Sequence, residues 1–138
     1  MKKKQDWQLH FNEFVEKNMH KQFEWGKWDC CIFSDACIKA ITGSNLIPKE
    51  LGWFDKASAL KTITGYGKTL KNSIRLACIK KNLTKIESNY LQKGDLVIIE
   101  SDNDAICGIY DGSKTIGPSD TGLCAISGNK VIEGWRVN

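Results

Sequence analysis

Six cysteines and two histidines are the side chains of this 138-residue sequence best suited to chemistry, and they are unevenly placed. Cys30 and Cys31 follow a short aromatic stretch, Phe23-Glu24-Trp25-Gly26-Lys27-Trp28-Asp29. Asp29 is a residue type that caps helix N-termini, which puts Cys30 in the first turn of a helix. Free backbone N–H groups and the helix dipole favour a thiolate there, the form in which a cysteine is nucleophilic. Gly26 permits a tight backbone ahead of it, and Trp25 and Trp28 are placed to wall the site. The same position also suits a cysteine that packs into the core beside Cys31, and position alone does not separate the two readings.

The other candidates are weaker. Cys37, Cys78, Cys107 and Cys124 sit among apolar neighbours, as in Ala36-Cys37-Ile38 and Leu123-Cys124-Ala125. Cysteines in such company pack as small hydrophobes. There is no C-x-x-C pair, and a zinc site would have to draw His20 together with Cys30, Cys31 and Cys37 at no standard ligand spacing. No metal and no cofactor is expected on that basis. His10 and His20 both precede Cys30, and a histidine near a helix end is ordinarily a surface residue. Asp102 and Asp104 are turn formers. A disulfide framework belongs to exported chains. The basic start, Met1-Lys2-Lys3-Lys4-Gln5-Asp6-Trp7, lacks an apolar signal core, so the thiols are read as reduced.

These residues need a scaffold, and the hydrophobic periodicity supplies one. From Asp6 to about Lys21, Trp7, Phe11, Phe14, Val15 and Met19 recur at helical steps. A second helix runs from about Cys30 to Ile41 and closes at Gly43, with Cys30, Phe33, Cys37, Ala40 and Ile41 on one face. Asp55 caps a short third helix through Ala57, Leu60 and Ile63, broken by Gly65 and Gly67. Leu70, Ile74, Ala77 and Cys78 outline a fourth, ending near Asn82. Gly94-Asp95 then opens a strand at Leu96–Ile99, followed by strands at Ala105–Tyr110, Lys114–Ile116, Leu123–Ser127 and Lys130–Val137. Turns are expected at residues 101–104, at Asp111-Gly112 and at Gly128-Asn129. Helices first and a meander of short antiparallel strands afterwards is the pattern of an α+β fold, not a βαβ one. Neither a linker nor a repeat interrupts it, so residues 1–138 read as one domain.

Bulk properties narrow the function classes. A hydrophobic fraction of 41% with 26% charged residues is that of a folded globular chain. The net charge of +4 resides largely in Lys2-Lys3-Lys4, and elsewhere bases alternate with acids, which argues against a nucleic-acid footprint. No apolar run reaches the length of a membrane span. Three of the five tryptophans, Trp7, Trp53 and Trp135, are candidate partner anchors, although core packing is the commoner role of such residues.

The segment Phe23-x-Trp25-Gly26-x-x-Asp29-Cys30-x-x-Phe33 resembles the Y-x-W-G…D-C-S-G-[LF] nucleophile segment of NlpC-type papain-like cysteine peptidases. Gly94-Asp95-Leu96-Val97 resembles their G-D-L-[VL] strand opening, and Ile106-Cys107-Gly108-Ile109-Tyr110 resembles their H-V-G-I-Y strand. Gly122-Leu123 and Gly134-Trp135-Arg136-Val137 are similar to a phage- and prophage-encoded branch of unknown function, commonly encoded in tail-assembly clusters. The resemblance implies a papain-like α+β fold, a helical half packed on an antiparallel β-meander or barrel, with Cys30 as the nucleophile or its remnant. Trp25, Gly26, Trp28, Asp29 and Ile106 would shape the site.

Several positions depart from the pattern. Ile106 stands where the family has its base histidine, and an isoleucine cannot accept a proton. The stretch Thr115-Ile116-Gly117-Pro118 supplies no third polar residue, Phe23 replaces a tyrosine, Cys31 a serine and Ile32 a glycine. The expectation is therefore a peptidase-like, catalytically inactive tail-tip or tail-assembly protein that binds other tail proteins. It would reside in the host cytoplasm during assembly and in the virion tail afterwards. The alternative is an active cysteine peptidase or amidase cleaving cell-wall peptides with Cys30 and a non-standard base. A further alternative is an intracellular effector that binds a host protein.

Overall fold

A computed structural model describes residues 1–101, 104–126 and 130–138. Four helices come first: α1 (Trp7–Asn18), α2 (Cys30–Thr42), α3 (Lys56–Gly67) and α4 (Leu70–Lys80). Six strands follow: β1 (Thr84–Ile86), β2 (Leu96–Ser101), β3 (Asp104–Tyr110), β4 (Thr115–Ser119), β5 (Gly122–Ala125) and β6 (Lys130–Arg136). The α+β class is as expected. The turn at residues 102–103, Ser127 and the Gly128-Asn129 turn lie outside the described residues.

Local chemistry sets the helix ends. Asp29 accepts a hydrogen bond from the Ile32 amide at the start of α2, and Gly43 closes that helix in the left-handed region at φ 86°. Asp55 and Ser58 form a reciprocal capping box on α3. Gly65, expected from the sequence to break α3, does not do so. The capping box and packing against α4 outweigh the roughly 1 kcal/mol helix penalty of one glycine. Gly67 ends the helix, and a Cβ there would lie 2.6 Å from the Ser73 backbone nitrogen, so the glycine lets α3 and α4 meet closely.

The sheet is antiparallel, with strand order β1-β6-β2-β3-β4-β5. Strands β2 to β5 make the expected meander, but β6 crosses back to pair with β2 instead of continuing beside β5. The reason lies in β2. Leu96, Val97, Ile98 and Ile99 are all buried, so both faces and both edges of this strand must be covered. Val97 pairs with Gly108 on one side and Gly134 on the other. The three-residue strand β1, on the outer edge of β6, was not anticipated: Thr84-Lys85-Ile86 is too short to carry a period-two signal.

Helices α1, α2 and α4 cover one face of the sheet. Phe11, Phe14, Phe33, Ile38, Ile41, Ile74 and Cys78 pack against Leu96, Ile98, Cys107, Ile109, Ile116 and Trp135 in one continuous core. Trp135 is 5% exposed, so it serves the core and is withdrawn from any partner. No helix among the described residues is long and apolar enough to cross a membrane.

Two buried carboxylates fasten the sheet. Asp95 receives Nε and Nη2 of Arg136 at 2.9 and 2.8 Å and the Gln92 amide at 2.8 Å. Glu133, opposite Ile98 in the register, meets Arg75 of α4 and accepts from Trp135 Nε1 at 3.2 Å, with Lys85 Nζ 3.5 Å away. Burial alone would raise the Glu133 pKa. The Arg75 guanidinium first, then Trp135 and Lys85, outweigh that and hold it below the ordinary carboxylate value. A depressed folded-state pKa gives stability that is present above the unfolded-state value, about 4.3 for Glu, and lost as pH falls through the folded-state value. Urea unfolding of the native chain should therefore weaken between about pH 5 and pH 3, and Glu133→Gln should flatten that slope.

Candidate functional site

The Glu24–Trp28 turn is closed by two backbone hydrogen bonds, Glu24 N to Trp28 O at 3.1 Å and Trp28 N to Glu24 O at 2.7 Å. Gly26, at its apex, has φ 80°, and a Cβ there would lie 2.5 Å from the Phe54 backbone. Both facts require glycine at that position. Asp29 is 1% exposed and fully occupied: Oδ2 receives the Gly26 amide at 3.0 Å and Trp53 Nε1 at 2.7 Å, while Oδ1 receives the Ile32 amide at 3.0 Å. One carboxylate thus ties together the turn, the start of α2 and the loop ahead of α3.

Cys30 is the first residue of α2, half-buried, and it lines a groove of about 1010 Å³. The groove runs past Phe23, Trp25, Trp53 and Leu60 to Ile106 and Ile126. Trp25 walls it, as the sequence suggested, in edge-on contact with Phe23 at 5.1 Å between ring centres. Trp28 does not. It is 5% exposed and packed on Phe14 and Phe33, with the Lys21 ammonium 3.9 Å above its ring, because the turn directs it into the core. Trp53 takes its place as the second aromatic wall.

Neither histidine lines the groove. His10 pairs with Asp6, the residue that precedes its helix, at 3.2 Å, and His20 is exposed beside the start of β5, where its backbone abuts Gly122. Ile106, at the expected base position, does line the groove. Side chains alternate along β3, however, so Ile106 is on the face opposite its neighbour Cys107.

It is Cys107 that meets the candidate nucleophile. The sulfurs of Cys30, Cys31 and Cys107 all lie within 4.8 Å of one another. Cys31 and Cys107 are 3.9 Å apart, and Ser34 Oγ donates to Cys107 Sγ at 3.7 Å. Cys107 is buried among hydrophobes as its neighbours suggested, but its contact with Cys30 and Cys31 was invisible, because 76 residues of chain separate the nearer pair. The one legible signal was the alternation of β3. The His20–Cys30–Cys31–Cys37 grouping does not assemble: among the described residues Cys37 is outside the sulfur cluster, and burial pushes its thiol up to about 12. Cys124, expected among buried thiols, is exposed, since β5 is an edge strand of the sheet.

The cluster divides its protons unequally. Hydrogen bonds from the thiols of Cys107 and Cys31 hold the Cys30 pKa well below the ordinary thiol value, against the opposing effect of burial. Cys107 is pushed up chiefly by Cys30, and Cys31 by Cys107 and then Cys30, with burial adding to both. The arrangement supports one thiolate, at the helix N-terminus, flanked by two protonated thiols. It supplies no imidazole to accept a proton.

The family model of a domain of unknown function, DUF6950, matches residues 2–137, so the chain belongs to that family. No curated protein matches it.

Two outcomes are expected. Asp29→Ala should lower unfolding stability by about 2–4 kcal/mol, from the lost cap and the orphaned Gly26 and Trp53 donors, as measured by chemical denaturation. In the reduced chain held in chelator, iodoacetamide should label Cys30 well below the pH at which it labels the exposed Cys124, as read by peptide mass spectrometry at each pH.

Proposed function

We propose that this DUF6950 domain is an NlpC-like, papain-type domain that has lost peptidase chemistry and acts as a binding component of a phage or prophage tail. It would assemble in the host cytoplasm, remain in the virion tail and contact other tail proteins through the groove beside Cys30. The observation that carries the loss of activity is the surroundings of the Cys30 sulfur: two thiols, with no histidine along the groove. A thiol peptidase needs a base to take up and return a proton, and loss of a general base typically forfeits about 10²–10⁴ in rate. Three acids line the groove, Asp29, Glu100 and Asp104; Asp29 is engaged by three donors and Asp104 accepts from the Ala105 amide.

Support for the papain-like lineage is the order of elements: the Trp25–Cys30 turn, a helical interval, then antiparallel strands opening at Gly94-Asp95. Support for the tail setting is the resemblance of residues 122–123 and 134–137 to the phage branch, an argument by analogy of sequence. One observation favours the second reading, a hydrolase acting on peptidoglycan peptides: the depressed pKa of Cys30 is what a nucleophile needs.

The two separate cleanly. Incubated with purified peptidoglycan, the native chain should release no more soluble peptide than Cys30→Ala, and Cys30-dependent release would sink the proposal. In the phage that carries the gene, Cys30→Ser should leave infectious yield unchanged. The groove pair Trp25→Ala with Leu60→Asp should abolish tail assembly, scored by electron microscopy of lysates.

A further inference from the structure

We propose that Cys30, Cys31 and Cys107 form a three-thiolate site for a thiophilic d10 metal ion, zinc(II) in the first instance. The argument is geometric and stands apart from the groove's role in binding. Two ligands come from the first turn of a 13-residue helix and the third from the middle of β3, whose Cys107 pairs with the buried Ile98. These are rigid elements packed on each other in the core, so the three sulfurs are placed together by the fold itself.

Their spacing matches what a metal requires. With Zn–S bonds of about 2.3 Å, tetrahedral coordination places sulfurs about 3.8 Å apart, and a trigonal arrangement about 4.0 Å. The Cys31–Cys107 distance is 3.9 Å, and no pair in the cluster exceeds 4.8 Å. Small side-chain rotations of Cys30 complete the triangle. Thiolate donors select zinc and copper(I) over hard ions such as magnesium and calcium.

The surroundings suit a bound ion. Cys30 and Cys31 line the large groove, which gives an entry path and room for a water in the fourth position. Asp29, the nearest carboxylate in sequence, is engaged by three donors, and among the described residues the cluster holds three ligand groups. Three thiolates around zinc carry a net charge of −1, which the positive N-terminal end of α2 offsets. Ser34 Oγ donates to Cys107 Sγ from outside, the kind of hydrogen bond that orients a ligand. A disulfide would use two of the sulfurs, strand the third and need an oxidant. A metal uses all three and displaces only their protons.

The test uses the full chain, reduced and stripped with chelator, then titrated under anaerobic conditions with zinc(II) against a chromogenic chelator. A parallel titration with cadmium(II) follows sulfur-to-metal charge-transfer absorption, whose amplitude counts thiolate ligands. The expected result is one zinc per chain, a cadmium amplitude of three thiolates, and zinc-dependent protection of Cys30 but not Cys124 from alkylation. Cys30→Ser should weaken zinc at least about tenfold, since even outer-shell changes cost that much, while Cys124→Ser should leave it unchanged. Circular dichroism confirms that each variant is folded, and the cadmium amplitude of the native chain stands even where a variant fails. Absence of stoichiometric binding, an amplitude below three thiolates, or equal affinity in folded Cys30→Ser would overturn the assignment.

Discussion

The Asp29 carboxylate is the constraint on which the site depends. It is buried, and a buried carboxylate is tolerable only when its lone pairs are engaged. Its three donors come from different parts of the chain: the apex of the aromatic turn, the first turn of α2, and Trp53 in the loop before α3. Satisfying one group therefore fixes three pieces of backbone. Cys30 is the next residue, so its position at the helix start follows, and the indole of Trp53 is held as a wall of the groove. Gly26 belongs to the same device, because only a residue without Cβ lets the turn close against Phe54.

On this frame the chemistry is that of sulfur. A low-pKa thiol at a helix N-terminus beside an open groove is one requirement of thiol-dependent hydrolysis, and a base is the other. In its place β3 brings a third sulfur to the pair already on α2. A neutral thiol donates to a thiolate and stabilises it, but it is not a base that takes up a proton at neutral pH. The cluster therefore suits ligand binding better than turnover. Cys31 and Cys107, which hold down the Cys30 pKa, are together with Cys30 the groups a soft cation would bind.

Several features were legible beforehand because they are local. The N-cap at Asp29, the C-cap at Gly43 and the capping residue Asp55 each act within four residues of the helix end they control. The amphipathic steps of α1 and α2 and the apolar run of β2 are local too, as is the glycine demand of the Trp25–Cys30 turn. Where the expectations failed, a distant partner had decided. Gly65 stayed helical because α4 packs beside it, Trp28 turned inward to meet Phe14 and Phe33, and β6 crossed over because β2 needed a second neighbour.

By itself, then, the sequence determined the class of fold, where the helices start and the presence of a helix-start thiol. Those follow from residue type and short-range spacing, which act through backbone hydrogen bonds and periodicity. Only the tertiary structure decided that Cys107 meets the Cys30 and Cys31 sulfurs, that Trp53 replaces Trp28 as a groove wall, and that three of the six thiols converge while Cys37, Cys78 and Cys124 stand apart. The physical reason is that register settles which face of a strand meets a helix. Shifting it by one residue exchanges the faces, and no local pattern records that choice.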